Sequence, residues 1–326
     1  MQRRDFLRFS ALLAATASPA ARAQRSTYPN SPVTIVLPLQ AASASDVAIR
    51  HLADRLGGRL NTSFIVENVA AAAGVVGLER LARARPDGYT LAALNNSIIT
   101  ILPQLQPRHV KVDTRKDFAP IAGIANIPTF FAVPSGSPIA NVSDLLTAAR
   151  ENPGKLTYAS GGIGSPQHLA AEMLLAYSEI KLTHVPYRGA SQAALAVASS
   201  EVDFMPMALS LAKGFLDDKR VRLIAYCGTE RHSQFPELAT VQEQGVANYD
   251  YASWIALFVD ANAPAPVLDL LRNEVQALVS DAGLQKQLTQ SGLDPWPRSP
   301  DELAHIIATD YDRWGKVIRD ANIPTT

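Results

Sequence analysis

The feature that most limits what this chain can become is a repeated change of hydrophobic period. Val33-Thr34-Ile35-Val36-Leu37 is a β-branched run closed at both ends by Pro32 and Pro38, and it reads as a buried strand. From Asp46 the apolar residues recur at helical spacing instead. Ile49, Leu52, Ala53 and Leu56 share one face, and Gly57-Gly58 is expected to stop the helix. The alternation continues along the chain. Phe64 to Val66, Thr90 to Leu94, Phe130 to Val133, Leu156 to Ala159, Val202 to Met205 and Leu223 to Tyr226 read as strands. Ser143 to Arg150, Gln167 to Tyr177 and Gln192 to Ser199 read as helices between them. A strand–helix–strand unit returns over its own sheet, so the pattern predicts an α/β fold with mixed, mostly parallel sheets flanked by helices. The tail is more helical. Leu268, Leu271, Val275 and Leu278 share a face, and Ser299-Pro300-Asp301-Glu302 opens a helix with Ser as cap and Glu three residues on.

With 326 residues the chain has room for two ordinary domains. Its 30 Lys and Arg balance 30 Asp and Glu, so it lacks the basic excess of a nucleic-acid binder. The single cysteine, Cys227, cannot form an internal disulfide, and within Leu223 to Cys227 it reads as a small buried hydrophobe. The six histidines show no short metal-ligand spacing. No Gly-x-Ser-x-Gly elbow, Walker loop or Gly-x-Gly-x-x-Gly fingerprint occurs. No catalytic residue, metal or cofactor is therefore expected, and the chain reads as a binding protein rather than an enzyme. Ser165 with His168 could be taken for a nucleophile pair. At a helix start, Ser165 is better suited to cap backbone donors while His168 orients the loop.

Residues 1–23 read as an export address. Arg3 and Arg4 precede Phe6-Leu7, Ala11 to Ala17 is a short apolar run, and Ala21-Arg22-Ala23 offers a small-x-small cleavage site. The run is shorter than the roughly 20 residues a bilayer span needs. The paired arginines resemble a twin-arginine signal. The expected location of the mature chain is the periplasm.

In parallel α/β sheets, ligands bind where strands end and helices begin. Two such loops stand out. The first runs from Pro38 to Asp46 and offers Leu39, Gln40, Ala41, Ala42, Ser43 and Asp46. Its side chains are mostly small, and the helix after it presents a positive dipole end. The second offers Ser160, Gly161, Gly162, Gly164, Ser165 and His168, with glycines that expose backbone donors. Facing one another, the two would form a pincer for an anion.

Several segments together resemble one family, the periplasmic receptors of tripartite tricarboxylate transporters (the Bug or TctC group). They include Arg85-Pro86-Asp87-Gly88-Tyr89-Thr90-Leu91, Asp117-Phe118-Ala119-Pro120-Ile121, Asn152-Pro153-Gly154-Lys155-Leu156-Thr157-Tyr158-Ala159-Ser160, His184-Val185-Pro186-Tyr187-Arg188-Gly189 and Pro236-Glu237-Leu238-Ala239-Thr240-Val241. The resemblance implies a two-lobed, type II-like Venus-flytrap fold of the periplasmic-binding-protein kind. Residues 24–125 plus 255–326 would form one lobe and residues 126–254 the other, with crossings near Gly123 to Ile127 and Ser253 to Leu257. It implies a small organic carboxylate held by the two loops, with Tyr187 beside them, and a monomer. The partners would be transporter membrane subunits or, alternatively, a sensor kinase, and no nucleic acid. The chain departs from the pattern in places. Gln40, Ala42 and Ser43 replace a glycine-rich turn, and Asn95-Asn96-Ser97 stands where Thr, Ser and Gly are usual, so Asn96 and Ser97 are expected to add contacts. Met207 stands where amino-acid-binding relatives carry an acid, which implies a ligand without an amine.

Overall fold

The computed structural model describes residues 28–320, together with Ile323 and Thr325. The proposed export signal lies outside the described residues. In chain order the elements are β1 (Val33–Leu37), α1 (Ala44–Leu60), β2 (Phe64–Asn68), α2 (Val75–Ala82), β3 (Thr90–Asn95), α3 (Leu102–Leu105), β4 (Phe118–Asn126), β5 (Thr129–Pro134), α4 (Val142–Glu151), β6 (Thr157–Ser160) and α5 (Pro166–Ser178). Then follow β7 (Thr183–Pro186), α6 (Ala190–Ala198), β8 (Met205–Ala208), α7 (Leu209–Asp217), β9 (Val221–Tyr226), β10 (Trp254–Asp260), α8 (Ala265–Val279), α9 (Ala282–Gln290), β11 (Asp294–Arg298) and α10 (Pro300–Asp320).

The strands form a six-stranded sheet in the order β11-β4-β10-β3-β1-β2, a three-stranded sheet β8-β5-β9 and a pair β6-β7. The large sheet is mixed, and over all three sheets antiparallel pairings outnumber parallel ones. β1–β2, β1–β3 and β6–β7 are parallel, whereas β10–β3, β10–β4, β11–β4, β5–β8 and β5–β9 are antiparallel. The reason is connectivity. The chain leaves the large sheet after Asn126, enters the second sheet at Thr129 and returns at Trp254, so the connecting strands do not follow βαβ crossovers.

Side chains alternate across the large sheet as the pleat requires. Ile35 and Leu91 pack on one face with Leu52 and Val275, while Val36, Ala92 and Leu94 pack on the other with Leu78 and Phe258. Each such fully buried aliphatic side chain contributes roughly 1.5–3 kcal/mol. The second sheet has its own apolar layers, one around Phe131, Tyr158 and Phe204 and one around Ala132, Val197 and Met207. α10 serves both sheets. Leu303 and Ile307 join the core of the large sheet, while Trp314, Val317 and Ile318 join that of Phe131.

Two local expectations are corrected. Gly57-Gly58 does not end α1, because both glycines stay helical and Asn61 takes the left-handed conformation (φ 48°) that closes the helix. The strand expected over Val202 to Met205 lies instead at Met205–Ala208, where its backbone pairs with β5. Elsewhere local chemistry sets the boundaries as read. Ser299 accepts from the Glu302 amide at 3.3 Å while the Glu302 carboxylate accepts from the Ser299 amide at 2.8 Å, a reciprocal cap at the start of α10.

Candidate functional site

The first loop follows β1. Ser43 caps α1, its Oγ accepting from the Asp46 amide at 3.3 Å. Asp46 is buried, and both its oxygens are occupied. Oδ2 accepts from the Ala42 amide and from Arg50 Nε, each at 2.9 Å, and Oδ1 accepts from Asn68 Nδ2 at 2.9 Å. Asn68 Nδ2 also donates to the Leu39 carbonyl at 3.1 Å. Burial alone would raise the Asp46 pKa, but the bonds from Arg50, Asn68 and Ala42 outweigh it and hold the carboxyl below its ordinary range. Asp46 therefore shapes the loop and has no oxygen left for a ligand. Ala42 is held at φ 58°, an uncommon conformation for a residue with a Cβ.

The second loop follows β6. Ser165 caps α5 by accepting from the His168 amide at 3.4 Å, with Pro166 in the first helical turn. Gly162 and Gly164 both have positive φ, 114° and 79°, which lets the chain fold back onto itself. The Gly164 amide is engaged by His168 Nδ1 at 3.3 Å, and the Gly162 amide by Ser160 Oγ at 3.0 Å. These two amides, expected as ligand donors, instead hold the loop.

A third loop of the same kind follows β7, of which the sequence reading offered only Tyr187. It brings Gly189 and Ala190 to the start of α6, opposite the first loop. The two sides touch. Ser191 Oγ donates to the Ala42 carbonyl at 3.2 Å, Lys213 Nζ donates to the Gln290 carbonyl at 2.9 Å, and His232 Nε2 lies 3.2 Å from Asp294 Oδ2.

Between the sides lies a cavity of about 70 Å³. Leu39, Gln40 and Ser43 from the first loop and Gly161 and Ser165 from the second line it, as the sequence suggests. Ser45, Gln167, Gly189 and Ala190 join them from the helix starts. Apolar surface comes from Ala44, Ile127, Pro166, Ala208 and Leu211. No lining residue is charged. The starts of α1, α5 and α6, helices of 17, 13 and 9 residues, converge here. Among the described residues, the amides of Ala44, Ser45, Gln167 and Ala190 have no hydrogen-bond partner. Unpaired helix-start amides and positive dipole ends favour an anion without any cationic side chain.

Other candidates sit elsewhere. Asn96 lies behind the cavity, donating from Nδ2 to the Ala252 carbonyl at 2.8 Å and accepting from Ser253 Oγ at 3.2 Å. Ser97 Oγ donates to Asn95 Oδ1 at 2.9 Å. It is Asn95, with Thr129 and Ser253 from the crossing segments, that lines the cavity. Tyr187 points away, its hydroxyl donating to Glu201 at 2.8 Å. Ala41 is exposed at the loop tip. Met207 is fully buried in the apolar layer with Ala132 and Val197, and its neighbour Ala208 faces the cavity. The inference drawn from Met207 about an amine-free ligand therefore has no contact to rest on.

Behind the second loop is a polar cluster. Ser160 Oγ and His184 Nε2 are 2.7 Å apart, the His184 ring stacks on Tyr158 at 4.7 Å and lies 4.6 Å from His168, and Tyr158 donates to Glu172 at 2.5 Å. Burial pushes both histidines down to about 4, and the neighbouring His168 adds to the effect at His184. His168 is neutral at pH 7, as its acceptance of the Gly164 amide requires. Ser160 is fully buried and outside the cavity, so this pair orders the loop.

A mixed six-stranded sheet and a smaller strand layer joined by crossing segments, with a cavity at the carboxyl ends of β1, β3, β6 and β7, are the architecture of periplasmic binding proteins. A solved structure described as R. palustris Rpa4515 with adipate superposes with a TM-score of 0.87 at 27% identity, covering 92% of this chain and all of that one. The periplasmic binding protein BugD gives 0.85 at 25%, covering 92% and all respectively. A Pseudomonas sp. (strain P51) protein encoded between tcbD and tcbE is 32% identical over 97% of this chain and 94% of its own length. The profile of the tripartite tricarboxylate transporter family receptor matches residues 48–323. This chain belongs to that family of solute-binding receptors.

Proposed function

We propose that this receptor captures a small organic carboxylate in the periplasm by closing two lobes over it, and that it releases the ligand unchanged. The observation that carries the reading is the uncharged cavity ringed by the starts of α1, α5 and α6, where unpaired amides of Ala44, Ser45, Gln167 and Ala190 await an anion. Hydrogen bonds to a charged acceptor contribute roughly 1.5–3 kcal/mol each, so a few give micromolar binding. The adipate complex of the R. palustris relative supports the same ligand class.

In this reading residues 24–125 plus 255–326 form one lobe and residues 126–254 the other, with α10 strapped across both. Residues 1–23 are a twin-arginine export signal, and the mature chain is a monomer that delivers its ligand to the membrane subunits of a tripartite transporter. The test is calorimetric titration with mono- and dicarboxylates of four to six carbons, followed by mass spectrometry of the recovered ligand. Saturable binding with unchanged ligand is expected. Binding of sugars or cations alone would overturn the carboxylate reading, and recovery of a chemically altered acid would overturn the receptor reading.

A further inference from the structure

The amide nitrogen of Asn95 is a buried donor without a partner. Asn95 is fully buried and lines the cavity, yet its Nδ2 makes no hydrogen bond. The orientation of the amide is fixed by chemistry. The other atom of the amide lies 3.1 Å from the Ile98 backbone N–H, which can only donate, so that atom is the oxygen. Ser97 Oγ donates to the same oxygen at 2.9 Å. The nitrogen of this cavity-lining residue therefore has two hydrogens to give and no partner, in a place where leaving a donor unmatched is costly. It belongs to a strand end rather than to a helix start. Asn95 ends β3 and pairs with Ile255 of β10.

We infer that Asn95 is a specificity-determining residue that reads a second oxygen acceptor on the ligand, so that the preferred substrates are dicarboxylates or other acids with a terminal carbonyl or carboxylate rather than acids with a hydrocarbon or ammonium end. This rests on the carboxylate reading above. The helix starts take one carboxylate, and the lining between contributes apolar surface from Ala44, Ile127 and Leu211 for a hydrocarbon body. The Asn95 amide then matches the far oxygen. A methyl group there would leave Nδ2 unpaired, and an ammonium would bring donor against donor.

The test uses matched pairs of acids: succinate with butyrate, glutarate with valerate, adipate with hexanoate. Affinities are measured by calorimetry for the wild type, Asn95→Asp and Asn95→Ala. Asn95→Asp keeps the oxygen that Ile98 and Ser97 need and replaces the donor by a second, carboxylate oxygen. Asn95→Ala removes the donor without adding charge. In the wild type at least one diacid should bind ten times more tightly than its monoacid, a difference of about 1.4 kcal/mol. In both variants that ratio should fall to about twofold or less. A ratio preserved in either folded variant, or a wild type that does not favour the diacid of any pair, overturns the assignment of Asn95 and leaves the carboxylate reading standing. A wild type that binds none of the six acids overturns both.

Discussion

Gly189 lies against Gln40 so closely that a Cβ on the glycine would sit 2.8 Å from the Gln40 Cγ. The contact joins the loop after β7 to the loop after β1, the two sides of the cavity. Gly189 is buried with an extended backbone (φ 177°), so it is the approach of Gln40 and not an unusual dihedral that demands glycine here. Gly189→Ala should therefore fold normally and close poorly. Affinity for the best-binding acid of the series is expected to fall at least about tenfold, or 1.4 kcal/mol. The ligand-free melting temperature should move by little. Titration and thermal melts without ligand check this, and Gln40→Gly in the same chain should restore part of the loss.

Asp46→Asn should lower stability by about 1–3 kcal/mol, because a buried acceptor that holds Ala42, Arg50 and Asn68 is weakened. The sign of the pH effect follows from the depressed pKa. The folded protein holds the carboxylate ionised more tightly than the unfolded chain, whose ordinary value is near 3.9, so the benefit is complete above that value and is lost as pH falls through the lower folded value. The gap between wild type and variant, read by denaturant unfolding, should be constant from pH 5 to 8 and close below about pH 4.

A separate acid effect belongs to His168 and His184. Both lie near 4 when folded against an ordinary 6.5, so the unfolded chain takes up protons first as pH falls. Their contribution is full above about pH 6.5 and is lost between there and pH 4. For the buried His168 the slope is about 1.4 kcal/mol per pH unit, and His184 acts in the same direction. His168→Gln keeps an acceptor near the Gly164 amide and cannot ionise. Its stability should fall less steeply than the wild type between pH 6.5 and 4, as measured by urea midpoints across that range.

Export can be tested without the folded structure. Replacing both arginines (Arg3→Lys with Arg4→Lys) is expected to cut the periplasmic yield at least tenfold and leave an uncleaved precursor in the cytoplasm. Fractionation and immunoblotting check this. An unchanged yield would assign the chain to the general secretory route.

The sequence alone determined what local chemistry determines. The Pro-bounded run at β1, the Ser43 and Ser165 caps and the reciprocal Ser299–Glu302 cap are all formed by neighbours in the chain, so pattern suffices to read them. The two loops that follow β1 and β6 were legible for the same reason, and several segments pointed together to one receptor family. What only the tertiary structure decided was the facing of side chains. β8 begins at Met205, and along a strand each shift of one residue exchanges core for cavity, which puts Ala208 rather than Met207 at the site. Asn95 and Asn96 are separated by the end of β3: Asn95 closes the strand, whereas Asn96 already has helical dihedrals (φ −56°, ψ −36°). Asp46 looked like a ligand contact because it opens a helix beside a small-residue turn. Its partners Arg50 and Asn68 are 4 and 22 residues away, and the second of these distances is closed only when β2 pairs with β1. The cavity itself exists only where the crossing segments bring α6 over the first loop, a long-range arrangement that no local period records.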